Sequence, residues 1–547
     1  MGKYSKDIIQ NRVLKSAFII FFIFMLLIFR LYWIQIIKNE EYRLAALKQR
    51  GKEVEIYPAR GIIYDKNLIP LTNRERVPTL FLIGDYFLKD KEALDFIMDK
   101  GIETDLINRD MNQFKEIEID ELLDNDSLPK GIFFTEKIAR YNKENILSHV
   151  IGHTKKSENK GESGIEKTFD DVLKKENTGS IYFEIDNKKN PILGGGYSLV
   201  ENKDINKPSN VQLTVDYHIQ KIVEEIMDEE GIKGSVIVSD TNNGDIVAMA
   251  SRPNFIQGEI DNFFNRENME LYNKGIQVSY PPGSLFKVVV LLAALEEDPS
   301  LIRENFYCKG FEELNDLVIK CNKEEGHGEL SIKEAFAKSC NSAFIQIGER
   351  VGSDKVIDAA KKLGFGEKIN IGLTEEVKGN LPKGEETKGP SIGNISIGQG
   401  SVEVTPLQIT NMIMIIANKG VKKDLSIIKG IVTDDGKMVK EFNKEKNEEV
   451  VSEESCKVID EYMAEVILNG TARSMNLEDI GGAAGKTGSA QAILNGKDTI
   501  HGWFSGYFPR ENPKYVITVF VEDDSSGSAS AIPIFEKISR EIWNKNR

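Results

Sequence analysis

Tyr280-Pro281-Pro282-Gly283-Ser284-Leu285-Phe286-Lys287 is the stretch whose reading decides this chain. Pro-Pro-Gly ends a loop, and Ser284 opens a run, Leu285 to Leu295, that is apolar nearly all round. A helix apolar on every side belongs in a core. Ser284 and Lys287 are three apart, so on that helix their side chains share a face. A serine hydroxyl is a weak nucleophile until a neighbouring base takes its proton, and a lysine can be that base if burial lowers its pKa. Ser-x-x-Lys recurs elsewhere, as at Ser157/Lys160 and Ser426/Lys429, both in polar surroundings. Taken alone, Ser284 reads first as an ordinary helix N-cap.

Two more stretches change the weighting. Ser339-Cys340-Asn341 follows a short helical pattern at residues 332–337, and its hydroxyl and amide can face one cleft from a loop. Lys486-Thr487-Gly488-Ser489 sits in an expected strand, where an ammonium and a hydroxyl can bind a carboxylate. Gly488 would let a substrate backbone lie against that strand. Separately, the first is a helix-terminal polar cluster and the second a strand entering a turn.

The chain has 547 residues, 40% hydrophobic and 29% charged, with a formal net charge of −15. That composition excludes disorder, collagen-like repeats and a polytopic membrane protein. The acidic balance argues against nucleic acid as a partner, since phosphates need a basic field. Ala17 to Ile37 is apolar save Arg30 and Gln35, and as a helix would run roughly 32 Å, about a bilayer core. Lys3, Lys6, Arg12 and Lys15 precede it, so the N-terminus is expected in the cytoplasm and the rest outside. The run is too long for a signal-peptide core, so an uncleaved cell-membrane anchor is expected.

Residues 46–210 are charged and mixed, with no catalytic constellation. A strand at 211–216 leads into an amphipathic helix at 217–228, and Asn242-Asn243-Gly244 joins two apolar runs as a hairpin. Later strands are expected at 483–491, 499–507 and 515–522. Strands, then helices, then strands suit helices packed on an antiparallel sheet, an α+β fold. The pattern breaks at Asn206, Lys207, Pro208 and Ser209, which places a boundary near 205–212.

Ser339 lies 55 residues after Ser284 and Lys486 lies 147 after Ser339. In that order the three elements spell the Ser-x-x-Lys, Ser-x-Asn, Lys-Thr-Gly set of the penicillin-recognising serine acyltransferases. The chain resembles the class B penicillin-binding proteins, the monofunctional peptidoglycan D,D-transpeptidases, over nearly everything after the membrane helix. Arg60-Gly61-Ile62-Ile63-Tyr64-Asp65 and Gly161-Glu162-Ser163-Gly164-Ile165-Glu166 are similar to that family's pedestal segments. Gly398-Gln399-Gly400, Thr405-Pro406-Leu407-Gln408 and His501-Gly502-Trp503-Phe504 are family-like as well. Leu285, Lys274-Gly275 and Ser489 depart from the common Thr, Arg-Ala and Thr without removing a catalytic group.

The resemblance implies a cytoplasmic tail (1–16), a transmembrane anchor (17–37), an elongated non-catalytic pedestal of the dimerisation type (46–208) and a transpeptidase domain (211–547). It implies that Ser284 attacks the penultimate D-Ala of a stem peptide after Lys287 takes its proton. Ser339, aided by Lys486, would relay a proton to the departing D-Ala, and Asn341 would hold the donor amide. Thr487 would bind the terminal carboxylate, with Gly488 beside it and the backbone of Ser489 completing an oxyanion hole. Expected partners are D-Ala-D-Ala stem peptides, β-lactams, the membrane and a membrane glycosyltransferase; no cofactor is required for catalysis. The competing readings are a D,D-carboxypeptidase or β-lactam-hydrolysing enzyme, and a penicillin-binding scaffold or sensor with vestigial catalysis.

Four cysteines can form one bridge or one metal site, not a framework. Cys308, Cys321 and His327 give C-x12-C-x5-H in one expected loop between the nucleophile and Ser339. Outside the membrane a disulfide is the default. The histidine favours structural zinc instead, completed by a carboxylate such as Asp316. Zinc, a disulfide and unpaired packing stay open; Cys340 is placed to touch this loop, and Cys456 is expected in the core.

Overall fold

The computed structural model describes residues 2–55, 60–82, 90–101, 115–129, 131–175, 179–184, 197–201, 209–264, 269–315, 317–442, 447–494, 496–524, 528–545 and 547. They form two compact units: Met1–Ala59, Arg76–Ala139 and Glu176–Lys203 in one, Arg60–Glu75, Arg140–Lys175 and Asp204–Arg547 in the other. The division is interleaved, whereas the sequence suggested one cut near 205–212. Asn206, Lys207 and Pro208, on which that cut rested, lie outside the described residues.

The first unit begins with a helix, Gly2–Tyr32, that ends in a π-helical turn, Trp33–Ile37. It is already helical through most of the expected polar tail. Ile8–Ile37 is long and apolar enough to cross a membrane. Further on, strand Arg76–Leu82 pairs with Lys115–Glu118 and Ile132–Ile138. Helix Lys91–Asp99, capped by the Asp90 carboxylate, buries Ala93 and Ile97 against Leu80, Leu82, Ile132 and Phe134.

The second unit is built on five antiparallel strands: β1 (Gly234–Asp240), β2 (Ile246–Arg252), β3 (Ala484–Leu494), β4 (Lys497–Phe508) and β5 (Tyr515–Val521). Their order is β2-β1-β5-β4-β3, so the early hairpin is stitched to the late strands through β1 and β5. Side chains alternate across the sheet. On one face Phe504 meets Phe535 of helix Ser528–Lys545. On the other, the Thr518 hydroxyl bonds both Ser505 Oγ and the hydroxyl of Thr410 on helix Pro406–Ala417. The all-round apolar helix is there: Lys287–Glu297 is buried from Lys287 to Leu295.

Two stretches read from sequence as pedestal belong to this unit. Ile63–Tyr64 pairs in parallel with strand Asn210–Leu213. The Asp65 carboxylate accepts from the backbone N–H groups of Asn67, Ile69 and Tyr217. Arg60 and Arg140 both clamp Glu166, with nitrogen–oxygen separations of 2.7 Å, and Arg60 also reaches Asp170 at 2.7 Å. Gly61 has no room for a Cβ, which would stand 1.5 Å from the Ser209 carbonyl oxygen. The two family-like segments thus meet in one buried ion cluster, 100 residues apart in the chain.

Removing one partner of a buried pair leaves an uncompensated charge. Glu166→Gln, fully buried between two guanidinium groups, is expected to lower unfolding stability by about 3–5 kcal/mol. Chemical denaturation of the detergent-solubilised protein checks this; exposed Lys155→Gln should stay within about 0.5 kcal/mol of wild type.

Candidate active site and thiol cluster

Ser284 stands on a 3-10 turn, Gly283–Phe286, not on the α-helix, which begins only at Lys287. In a 3-10 turn residues three apart eclipse, which aligns the two side chains more closely than an α-helix would. Gly283 needs its left-handed φ of +55°, and a Cβ there would lie 2.5 Å from the Ser489 carbonyl oxygen. Its N–H donates to the Gly398 carbonyl at 3.0 Å. The turn is therefore wedged between β3 and the Gly398 loop.

Lys287 Nζ is fully buried and lies 3.0 Å from Ser284 Oγ. It is also 2.7 Å from the Ser339 carbonyl oxygen, 3.2 Å from Ser339 Oγ and 2.8 Å from Asn341 Oδ1. Four oxygens surround a nitrogen that as an ammonium has three hydrogens. A neutral amine, with two N–H groups and one lone pair, also makes three hydrogen bonds, and its lone pair can accept the Ser284 hydroxyl proton. Burial pushes the Lys287 pKa down to about 8, so the neutral form is accessible.

Lys486 enters from β3, also fully buried, with Nζ 3.1 Å from the same Ser339 Oγ and 3.2 Å from the Thr487 carbonyl oxygen. Burial, then the neighbouring Lys287 charge, holds its pKa well below the ordinary lysine range. Ser339 Oγ is thus bracketed by two amines. Ser339 adopts a left-handed φ of +54°, while Asn341 is the first residue of helix Asn341–Val351 rather than part of a loop. Asn341 Nδ2 donates to the Lys320 carbonyl at 3.1 Å, which fixes its oxygen toward Lys287.

The structure brings Ser284, Lys287, Ser339, Asn341 and Lys486 into one cluster. Thr487 is buried with its hydroxyl 2.6 Å from that of Thr471, and Ser489 is exposed on β3. Gly488 has a different reason from the one read in the sequence. A Cβ there would meet the Pro282 carbonyl oxygen, Trp503 Cβ and Leu285 Cγ at 3.0–3.1 Å, so the missing side chain makes room for the nucleophile turn. The rings of Phe344 and Phe336, which no motif announces, lie 5.7 and 5.4 Å from the two lysine nitrogens.

Behind Ser339 lies a second cluster. Strand Asn305–Cys308 pairs with Gly328–Ser331, setting Cys308 opposite Gly328 and next to His327. Hairpin Phe311–Leu314/Leu317–Lys320 delivers Cys321 at its end. Cys340, the N-cap of helix Asn341–Val351, comes in from the catalytic side. The Sγ atoms of Cys308 and Cys321 are each 3.6 Å from His327 Nδ1, and Cys321 Sγ is 3.8 Å from Cys340 Sγ. All four ligand atoms lie within 4.8 Å of one another.

Zinc held tetrahedrally by sulfur at ~2.3 Å and nitrogen at ~2.0–2.1 Å has S···S edges of roughly 3.8 Å and S···N edges of roughly 3.6 Å. The donor set fits that polyhedron. A bonded S–S pair would stand at about 2.05 Å, and the four thiols are free. Cys340 supplies the fourth donor; Asp316, expected in that place, lies outside the described residues. The Cys340 thiol holds the Cys321 pKa well below the ordinary range, which favours a thiolate.

Comparison with known proteins agrees with this geometry. The penicillin binding protein transpeptidase domain matches residues 234–540. Stage V sporulation protein D of Bacillus subtilis is 29% identical over 98% of this chain and 86% of its own length. Peptidoglycan D,D-transpeptidase MrdA of Haemophilus influenzae is 25% identical over 98% and 92%. In fold, the chain is similar to the penicillin-binding protein PBP2 of Helicobacter pylori, solved alone (TM-score 0.68) and in complex with MreC (0.65). Both are 22% identical over 90% of this chain and 99% of that one. With a family match over more than half its length and a serine set against a buried lysine inside it, the chain belongs to the penicillin-binding proteins, in their class B branch of D,D-transpeptidases.

Proposed function

We propose that this chain cross-links peptidoglycan stem peptides through an acyl-enzyme on Ser284, and that β-lactams acylate the same oxygen. The observation that carries the assignment is the 3.0 Å approach of Ser284 Oγ to the buried Lys287 amine. Ser284 Oγ attacks the carbonyl carbon of the penultimate D-Ala while its proton passes to Lys287 Nζ. The bond to the terminal D-Ala nitrogen then breaks, and that nitrogen takes a proton through Ser339 Oγ, between the two lysines. An amine on a neighbouring strand displaces the serine oxygen and completes the cross-link.

Backbone N–H groups of Ser284 and Ser489 would face the developing oxyanion, each worth about 3 kcal/mol. Asn341 would hold the donor amide, and Thr487, with Gly488 beside it, the terminal carboxylate. The N-terminal helix anchors the chain in the cell membrane with its N-terminus cytoplasmic, as the basic residues before the apolar run require. A protein resembling MreC, the partner in the H. pylori complex, and a membrane glycosyltransferase are the partners this placement suits.

Zinc at Cys308, Cys321, His327 and Cys340 is part of the same proposal. Such a closed four-ligand site would supply a structural cross-link and leave no open position for chemistry. Anaerobically purified protein should carry about one zinc per chain, and cobalt substitution should give thiolate charge-transfer absorption. Metal-free protein that stays folded would end this part of the reading.

Ser284→Ala should abolish covalent labelling by fluorescent penicillin while unfolding stays cooperative; undiminished labelling would place the nucleophile elsewhere. The lowered Lys287 pKa also sets a pH profile. Only the neutral amine accepts the serine proton, so acylation should rise roughly tenfold per pH unit below about 8 and level off above it. A profile flat from pH 6 to 9 would remove Lys287 as the base. The sign for stability follows: between about 8 and the unfolded value the unfolded chain binds more protons, so this lysine's penalty on folding fades as pH rises.

A further inference from the structure

Tyr280 begins the nucleophile turn, and its side chain leads to a buried ion pair with no place in the chemistry above. Its hydroxyl donates to Glu522 Oε1 at 3.2 Å, and the other carboxylate oxygen is bonded by Lys274 Nζ. All three side chains are buried. Glu522 follows directly on β5, whereas Lys274 lies just ahead of the turn, so the carboxylate ties the sheet to the approach to Ser284.

The Tyr280 ring is packed on Phe520 with centroids 4.1 Å apart, and edge-on to His501 at 5.3 Å. Its backbone exchanges two hydrogen bonds with Val404, both 2.9 Å. Burial, then the Glu522 charge, holds the Tyr280 hydroxyl well above its ordinary pKa, so it stays a donor. Between Tyr280 and Gly283 stand two prolines, whose fixed φ makes the link stiff. At the far end Gly283 is held by Gly398 and faces β3. A displacement of Tyr280 therefore passes to Ser284 instead of being absorbed in a loop.

A buried ion pair is weak evidence for stability, because apolar replacements of similar volume often do as well. What this pair adds is direction: a carboxylate with one oxygen saturated by Lys274 and the other aimed at a single hydroxyl. We infer that Glu522, charge-balanced by Lys274, is a positioning residue for the nucleophile, acting through the Tyr280 hydroxyl to set Ser284 Oγ against Lys287. The inference rests on the reading that Ser284 is the acylated oxygen. In the sequence Lys274 reads only as a departure from a common Arg.

The test is time-resolved acylation of the full-length protein in detergent by fluorescent penicillin, separating the acylation rate constant from the affinity of the preceding complex. Tyr280→Phe keeps the ring packing and removes only the hydroxyl. It should slow acylation about tenfold, the fold-change of a lost hydrogen bond to a charged group, with affinity and the final labelled fraction unchanged. Lys274→Arg should retain the rate within about twofold and Lys274→Met should lose it, as expected if charge balance at Glu522 is what counts. A Tyr280→Phe rate within about twofold of wild type overturns the inference. So does a loss that appears only as a smaller labelled fraction, which would mean misfolding. Wild-type protein that takes no label refutes the Ser284 reading and this inference with it.

Discussion

Two lysine amines are buried around one serine hydroxyl, and the described residues offer neither of them a carboxylate. An isolated buried ammonium is costly enough that the group gives up its proton instead. Here that tendency is the useful property. Lys287 is held near the pH at which it can accept a proton, and Lys486, equally buried beside it, is held well below the ordinary lysine range. The Lys287 charge adds to burial in disfavouring a charge on Lys486, and Ser339 Oγ stands between the two amines. Aromatic faces at Phe344 and Phe336 supply weak cation binding without adding a countercharge that would restore the ordinary lysine pKa.

Such a site survives only if the protein around it is too stiff to let water in. The stiffness comes from non-local pairing. β1 and β5 are joined along seven residue pairs although nearly 280 residues separate them, and this union encloses everything the catalytic cluster needs. Helix Lys287–Glu297, helix Asn341–Val351 and strand β3 are then positioned by packing on a common core, not by local sequence. Glycines set the closest approaches: Gly283, Gly398 and Gly488 each occupy a place where a Cβ would strike the backbone of the nucleophile turn or of β3.

Elements with a local signature were legible in advance. The hairpin around Asn242-Asn243-Gly244, the helix from Tyr217 and the three late strands appear within a few residues of where periodicity places them. The three motifs named the cluster because each carries its own residue types. What periodicity does not encode is which distant segments share a layer. Arg60–Glu75 and Arg140–Lys175 look like charged pedestal sequence; Arg60, Arg140 and Glu166 join them to each other, and the pairing of Ile63–Tyr64 with Asn210–Leu213 joins them to the rest of the second unit. The bond between Tyr280 and Glu522 is hidden from the sequence for the same reason: a contact between residues 242 apart leaves no local pattern. Cys340 is visible in the sequence as a neighbour of Ser339, but its approach to Cys321 depends on the loop folding back.

That fold-back joins two parts of the site that sequence treats separately. Cys340 sits between Ser339 and Asn341, so the tripeptide that brackets Lys287 also points a sulfur into the thiol cluster. The loop holds the tripeptide in two further places. Asn341 donates to the Lys320 carbonyl, one residue before Cys321, and Asn322 donates to the Lys338 carbonyl, one residue before Ser339. Ser339 is in a left-handed conformation that a serine does not favour, so something must hold it there. A serine free to relax would turn its carbonyl and hydroxyl away from Lys287, and the amine would lose two of its four oxygen neighbours at once. The cysteine–histidine loop thus buttresses the Ser339–Asn341 tripeptide, in which the Cys340 sulfur and the oxygens that meet Lys287 are carried on one short piece of backbone.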